Sequence, residues 1–593
     1  MMLSPFTLTL TLATLAAPLP QDAQPAPQAP AAAPAPTAPT APAAPTAPVR
    51  TVVPAERRDR AALAGAVAAL QAAHPGRVSA ASIGNSARGE PIPVLTLSRD
   101  AATADARPAV LVVAGMDGTR WSGTEAALVA AESLLGTAHE ALLGDVTFYV
   151  LPRGNPDAAD AFLRGPRRDY SGDGAVHDND RDGKIDEDAP RDLNGDGLIT
   201  QMRASGVLLP WPAPTLVADR GEPRLLRAPD AAAGEVAVFT TWTEGIDADG
   251  DGRMAEDWPG GIDPERNFPH RWPEFEDEAG VYPLLAPESK ALAEFVAAHP
   301  NVFACLVLGR HDTVVNVPDA KARTVGGMPA MLAPEDERAY ADVAKAWREV
   351  VGQKRAEGRD AAGSFVAWMN AQRGVPTFAS TLWGRPDVPE PTEEEKARRK
   401  DLPKPADAEA AAWLDYSDRM RGGSGFVPWT RVEHPQVPNM EVGGWVAGFR
   451  ENPPLDEVAA LGERCAAFLA KLAEHRPMVR LSAPTVTSMG PGLWRIEATL
   501  SNTGRLPTVM RGGRAEGVIP AHVVRLSVPV DRVKSGRRID VVRGIDPGEV
   551  RRLAWIVQAP PEEEVAVELL LAGNVVERHA FTDGAPAGTG GGK

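Results

Sequence analysis

The sequence predicts an α/β protein with a mixed central sheet flanked by helices, carrying an Asp-rich insert and followed by a C-terminal β-sandwich. Three observations predict it. Residues 108–135 pass from the unbroken apolar run Ala109–Ala114 through a Gly-rich turn into a helical pattern, as a buried strand feeding a helix does. The run from Val146 to Pro152 repeats the buried-strand pattern, so strand, helix and strand follow in the order of a parallel or mixed sheet covered by helices. Beyond Pro477, short alternating runs are separated by Gly, Pro and Asn, a spacing that suits a β-sandwich of about 100 residues.

Residues 1–20 hold an apolar stretch ending in small residues, as a secretory signal does. No Lys or Arg precedes it, and a disordered Ala/Thr leader is the alternative. A signal here implies a secreted or periplasmic protein, and no cysteine follows it to take a lipid. Residues 21–50 collapse to Ala, Pro and Thr, the composition of an extended tether. The large domain is placed at 51–476. It opens with helical spacing over Arg57–Ala73 and paired strands over Val78–Leu97 turning at Gly89-Glu90. Near its end, the stretches from His434, from Glu441 to Trp445 and from Asn452 are expected as ordered loops, before an amphipathic helix over Leu455–His475. The sandwich domain, 477–583, is expected to use Val479–Leu481, Leu493–Leu500, Val523–Val530, Ile539–Val542, Val550–Gln558 and Val565–Leu571 as strands, with a disordered tail at 584–593.

The net charge of −17 and the lack of a dense Lys/Arg cluster argue against nucleic-acid binding. Past the N-terminus no run reaches the roughly 18 apolar residues of a transmembrane helix. Cys305 and Cys465, the two cysteines, sit in apolar patterns that suit buried thiols, with a disulfide as the alternative.

The insert, residues 169–257, carries a motif four times. Asp169-x-Ser171-x-Asp173-Gly174, Asp178-x-Asp180-x-Asp182-Gly183, Asp192-x-Asn194-x-Asp196-Gly197 and Asp247-x-Asp249-x-Asp251-Gly252 each place oxygen donors at positions 1, 3 and 5 and Gly at 6. Position 8 is apolar each time: Val176, Ile185, Ile199 and Met254, with Asp186 beside the second. Side chains at alternate positions converge on an ion, and Gly permits the sharp bend, so the insert is expected to bind calcium. The twelfth-position Glu of an EF-hand is missing from all four, and dockerin-like or thrombospondin-repeat-like variants are the better comparison.

Several motifs, in order, resemble those of the zinc carboxypeptidase A family. They are Gly115-Met-Asp117-Gly-Thr-Arg120-Trp121, Asp263-Pro-Glu265-Arg266-Asn-Phe-Pro269, Ala286-Pro-Glu-Ser289, the strand from Val302, and the segments Gly363–Trp368 and Gly374–Trp383. The resemblance spans about residues 55–475 and implies the family's α/β fold, with zinc as its cofactor and peptide or protein C-termini as its ligands. It implies that the family's zinc ligands fall on Asp117, Arg120 and Gly309, its general base on Thr381 and its tyrosine on Arg359. Its carboxylate-gripping Asn-Arg pair becomes Glu265-Arg266. A guanidinium has five donors and no lone pair, so Arg120 repels the ion its position should hold. Thr381 does not take a proton from water near neutral pH. The expectation is a catalytically inactive relative that binds peptide or protein through Arg266, Glu265 and Arg120, with Arg359 beside them, unless a Glu265-Arg266 or Glu265-Arg120 ion pair fills the pocket from within and leaves it only a structural role. An active enzyme with a rearranged site at Asp117, His311 and Glu125 or Asp312 is the first alternative, and a calcium-stiffened adhesion or scaffold protein the second.

Overall fold

The computed structural model of the chain describes residues 50–56, 58–176, 183–186, 188–207, 211–256, 260–400, 402–582 and 585–586. The expected signal and tether, the loop Asp178–Asp182 and nearly all of the tail lie outside the described residues.

The central sheet has six strands: β1 (Val78–Asn85), β2 (Pro91–Leu97), β3 (Ala109–Ala114), β4 (Thr147–Leu151), β5 (Val302–Leu308) and β6 (Thr377–Ser380). Their order is β1-β2-β4-β3-β5-β6. The first two strands are antiparallel to their neighbours, while β4, β3, β5 and β6 run parallel, so the sheet is mixed. Every residue of β3 is buried. That follows from its central position: apolar clusters cover both faces, and a strand buried on both sides has no need to alternate.

Helix α1 (Trp121–Leu134) lies on one face, and helix α2 (Leu455–Glu474) packs on it. Two glycines allow this approach. A Cβ at Gly123 would stand 2.8 Å from the Leu308 carbonyl oxygen, and one at Gly462 2.6 Å from Val129 Cβ. Cys305 belongs to the cluster on one face of the sheet and Cys465 to that on the other, and both are free buried thiols. Burial raises both, Cys465 to about 12. Among the described residues, no single helix is long and apolar enough to cross a membrane.

The insert shares a sheet with the end of the large domain. Gln201–Ser205 pairs antiparallel with Phe239–Thr243 on one side and Glu441–Trp445 on the other, and Phe426–Arg431 completes four strands. This corrects the expectation of a loop at 441–445. The pair Gly443-Gly444 hides a strand there, because Gly443 is squeezed against its neighbour: a Cβ would lie 2.8 Å from Val427 O and 2.9 Å from Trp429 Cα.

The C-terminal residues form two five-stranded sheets whose facing side chains, among them Trp494, Ile496, Val524, Trp555, Val567 and Phe581, make one core. The expected strands are present, except that the one expected over Val523–Val530 runs over His522–Leu526 and Val530 opens a short helical turn; Thr485–Gly490, Val533–Ser535 and Asn574–Thr582, whose exposed valines at 575 and 576 blur the alternation, are added. A segment between these strands turns back to the α/β sheet. Leu506 and Met510 are buried in the cluster that holds α2, the Met510 amide donates to Gly374 O at 2.9 Å, and the Arg511 amide donates to Asp336 at 2.8 Å.

Candidate active-site cleft

The turn after β3 sits at the carboxyl end of the parallel strands, where ligands bind in such sheets. Gly115 has φ of +63°, and a Cβ on Gly118 would lie 2.3 Å from the Ala158 carbonyl oxygen, so the chain bends tightly and presents Asp117 and Arg120. Asp117 is buried and accepts from the Thr119 amide at 2.9 Å. Burial raises its pKa, against the pull of Arg310 and Arg120. Arg120 Nε lies 3.7 Å from the Asp117 carboxylate and has no hydrogen-bond partner, and burial lowers the pKa of this guanidinium.

The segment after β5 brings three consecutive residues to the same place. Gly309 has only its backbone to offer, and its amide donates to Ser380 O at 3.0 Å. Arg310 is buried and ion-paired to Asp263, whose other oxygen accepts the Glu265 amide at 2.9 Å. Burial works against the Arg310 charge, but Asp263, Asp117 and Glu265 together hold its pKa above the usual arginine value. His311 Nε2 stands 3.0 Å from Glu265 Oε2, off the direction a hydrogen bond needs, and its Nδ1 lies 3.2 Å from Arg359 O.

Several expected roles are corrected by these contacts. Arg266 leaves the cleft to pair with Glu276, so it does not grip a carboxylate there. Glu265 meets His311 rather than Arg266 or Arg120. Glu125 is clamped by Arg58 at 2.8–3.1 Å, and Asp312 accepts from the amides of Val314, Val315 and Asn316, so neither is available to a rearranged site. Asp169 is drawn out of its expected calcium loop: its carboxylate accepts from Arg359 at 2.6 Å and from Thr119 at 3.0 Å. Burial would raise the Asp169 pKa, but Arg359 holds it low. Asp173 likewise spends one oxygen on the amides of Ala175 and Ile262, and Ser171 offers its carbonyl to Asn155 at 3.2 Å. The loop is therefore a brace of the cleft.

A cavity of about 210 Å³ opens beside Arg120, lined also by Arg359, Thr381, Trp383, Arg450 and Glu451. Thr381 donates to Trp383 O at 2.8 Å and accepts from Gln353 at 3.0 Å, which fixes the cavity wall. Trp383 Nε1 is buried there without a hydrogen-bond partner. Arg310, Asp263, Arg450 and Trp383 were not foreseen as site residues. Asp263 lies inside a quoted motif and Arg310 between Gly309 and His311, whereas nothing in the pattern around Arg450 marks it.

Zinc requires three or four donor side chains around one point. Groups of three His, Cys, Asp or Glu side chains close enough to share an ion occur, among the described residues, only in the insert. Around Asp117 stand Arg120 and Arg310, which have no lone pair to give. This donor set does not fit zinc.

Behind the cleft, Glu288 is buried, with one oxygen accepting the Ala87 amide at 3.0 Å and the other unpartnered. Burial and the nearby Asp173 push it up to about 8, from 4.5. A carboxyl whose folded pKa is raised stabilises fully below its unfolded pKa and loses that contribution as the pH rises through the folded one. The thermal midpoint is therefore expected to fall between about pH 5 and about pH 9, and Glu288→Gln to flatten that fall, as measured by differential scanning calorimetry across the range.

Residues 64–172 match the family model described as zinc carboxypeptidase, and residues 478–577 match a domain of unknown function (DUF8731). No curated protein matches the chain. Among solved structures, bovine thrombin-activatable fibrinolysis inhibitor in complex with tick carboxypeptidase inhibitor is 13% identical over 71% of this chain and 97% of its own, with a TM-score of 0.33. Carboxypeptidase A from Helicoverpa armigera is 14% identical over 70% of this chain and 73% of its own, with a TM-score of 0.36. The metallo-carboxypeptidase from Burkholderia cenocepacia is 12% identical over 70% and 69%, with a TM-score of 0.31. Likenesses so distant assign no residue a role, and the assignment stands on the matched segment that contains β3, its turn and α1: the chain carries a domain of the zinc carboxypeptidase family.

Proposed function

We propose that this protein is a secreted or periplasmic member of its family that has given up hydrolysis and uses the cleft to hold the carboxylate of a peptide or protein C-terminus. The observation that carries the reading is the Arg120 guanidinium. It is buried, has no hydrogen-bond partner at Nε, and borders a cavity of about 210 Å³ at the position where the resemblance puts a zinc ligand. Arg359 and Arg450 line the same cavity, and Trp383 offers it an unused N–H. Fixed donors of this kind recognise an anionic acceptor through charge-assisted hydrogen bonds. Hydrolysis lacks its usual parts: Thr381 is not a base for water at neutral pH, and guanidinium groups occupy the surroundings of Asp117.

The test is calorimetric titration of the full chain with one peptide in two forms, bearing a free or an amidated C-terminus. The free form is expected to bind at least about tenfold more tightly, a difference of about 1.4 kcal/mol within the range of one charged hydrogen bond. Arg450→Ala should weaken the free form and leave the amidated form unchanged. Equal heats for both forms would overturn the reading, as would one zinc per chain together with chelator-sensitive release of C-terminal residues.

A further inference from the structure

The fourth Asp-rich loop behaves differently from the others. Val176 and Ile185, the apolar eighth residues of the first two, are exposed, whereas Met254 of the fourth is 5% exposed and packs with Met202, Met440 and Val442. The side chains of Asp192, Asn194 and Asp196 accept from amides of their own exposed turn, and those of Asp247, Asp249 and Asp251 do the same in theirs, so the loops differ in what surrounds them. The loop at Asp247 is instead seated on the insert's core and held by Gln436, whose side chain accepts from the Asp247 amide at 3.0 Å.

We propose that Asp188, Asp247, Asp249, Asp251 and Glu256 form a single calcium site, in which two carboxylates from outside the repeated motif complete the coordination. The carboxylate oxygens of Asp188, Asp249 and Glu256 lie within 4.8 Å of one another, as do those of Asp247, Asp249 and Asp251, so the two groups share Asp249. Asp188 is fully buried. One of its oxygens accepts the Ala248 amide at 2.8 Å, and the other, like the buried Glu256 Oε2, faces no N–H donor and has only the neighbouring carboxyl group beside it. A carboxylate in such a place needs a cation or a donor, and among the described residues no Lys or Arg pairs with Asp188, Asp249 or Glu256. Asp186, two residues before Asp188, adopts φ of +55° as the chain turns toward the loop.

The chemistry selects the ion. All the donors are carboxylate oxygens, which favours a hard cation over zinc. They come from a bent loop and a separate segment of chain, and five carboxylates around one ion suit calcium's larger and more variable shell better than magnesium, which binds through one or two carboxylates and keeps its waters. The twelfth-position Glu that the motif lacks is replaced by Glu256, at position ten counted from Asp247, and by Asp188 from another part of the insert. Bound calcium would tie residue 188 to the 247–256 loop, and through Gln436 to the segment that follows Phe426–Arg431.

The full chain, stripped with EGTA, is titrated with calcium and separately with magnesium by calorimetry, and its melting is followed with and without each ion. Calcium is expected to bind and raise the melting temperature, and magnesium at the same concentration is not. The double variant Asp188→Asn/Glu256→Gln should lose at least about tenfold in calcium affinity at this site, take up one calcium fewer per chain, and lose most of the calcium-dependent rise. Without calcium it should melt at or above the parent temperature, because two acidic groups buried against each other with no cation are gone. Unchanged uptake in the variant, equal protection by magnesium, or a variant that melts below the parent with and without calcium would each overturn the proposal.

Discussion

Arg310→Met is expected to lower the unfolding free energy by about 3–5 kcal/mol, measured by urea unfolding of the full chain. The side chain is 3% exposed and ion-paired to Asp263, which is 1% exposed, while Asp117 and Glu265 add their fields. Methionine fills similar space but leaves those carboxylates buried with no cation among them, and the cost of an uncompensated buried charge exceeds what the pair itself contributed. A second change separates charge from packing. Asp263→Asn keeps an oxygen for the Glu265 amide, so Arg310→Met/Asp263→Asn should recover at least half of the loss. If the double variant is no more stable than the single one, Arg310 acts through its shape and the charge account is wrong.

Trp347→Ala is expected to cost about 3–5 kcal/mol as well, for a different reason. Trp347 is fully buried on the helix Glu337–Val350 and meets Phe468 of α2 edge-on at 4.9 Å between ring centroids. Alanine leaves a cavity between two helices that cannot both close on it, because α2 is also fixed against α1 at Gly462. The indole also donates to Gln353 Oε1 at 3.2 Å, and the Gln353 amide reaches Thr381 at 3.0 Å on the wall of the cleft. Trp347→Phe keeps most of the volume and removes only that donor, so it should cost about 1 kcal/mol. A loss under 1 kcal/mol for the alanine variant would mean that the helices relax into the space.

The sheet was legible because its central strands are buried on both faces, so the apolar runs at Ala109–Ala114, Thr147–Leu151 and Val302–Leu308 are unbroken and outlast any ambiguity of period. The insert's strands were not. Gln201–Ser205 places just two buried residues among polar ones, and Glu441–Trp445 is interrupted by glycines whose reason is a neighbouring backbone. At the cleft, Asp117, Arg120 and Arg359 were found from the order of the motifs, and they do converge. The position of the third ligand drew attention to Gly309 and His311, yet the charge that matters is on Arg310 between them, which turns toward Asp263. Arg266 was misplaced for a local reason, since Glu276 ten residues on captures it. The Asp-rich motif was legible as a pattern, but Asp188 and Glu256 lie outside the pattern and only folding brings them to it.

The return of residues 506–511 to the α/β core has a mechanical meaning. Gly374 has φ of +73° and no room for a side chain, with Val509 Cγ1 2.6 Å from where a Cβ would be, so the joint is a fitted tenon and not a tether. Leu506 and Met510 plug the same apolar layer that seats Trp347 and Phe468. A pull on the sandwich is thus transmitted to the helices behind the cleft, and the sandwich acts as a keystone for the fold it follows in sequence. Packing does not divide at residue 477, where the strand pattern begins.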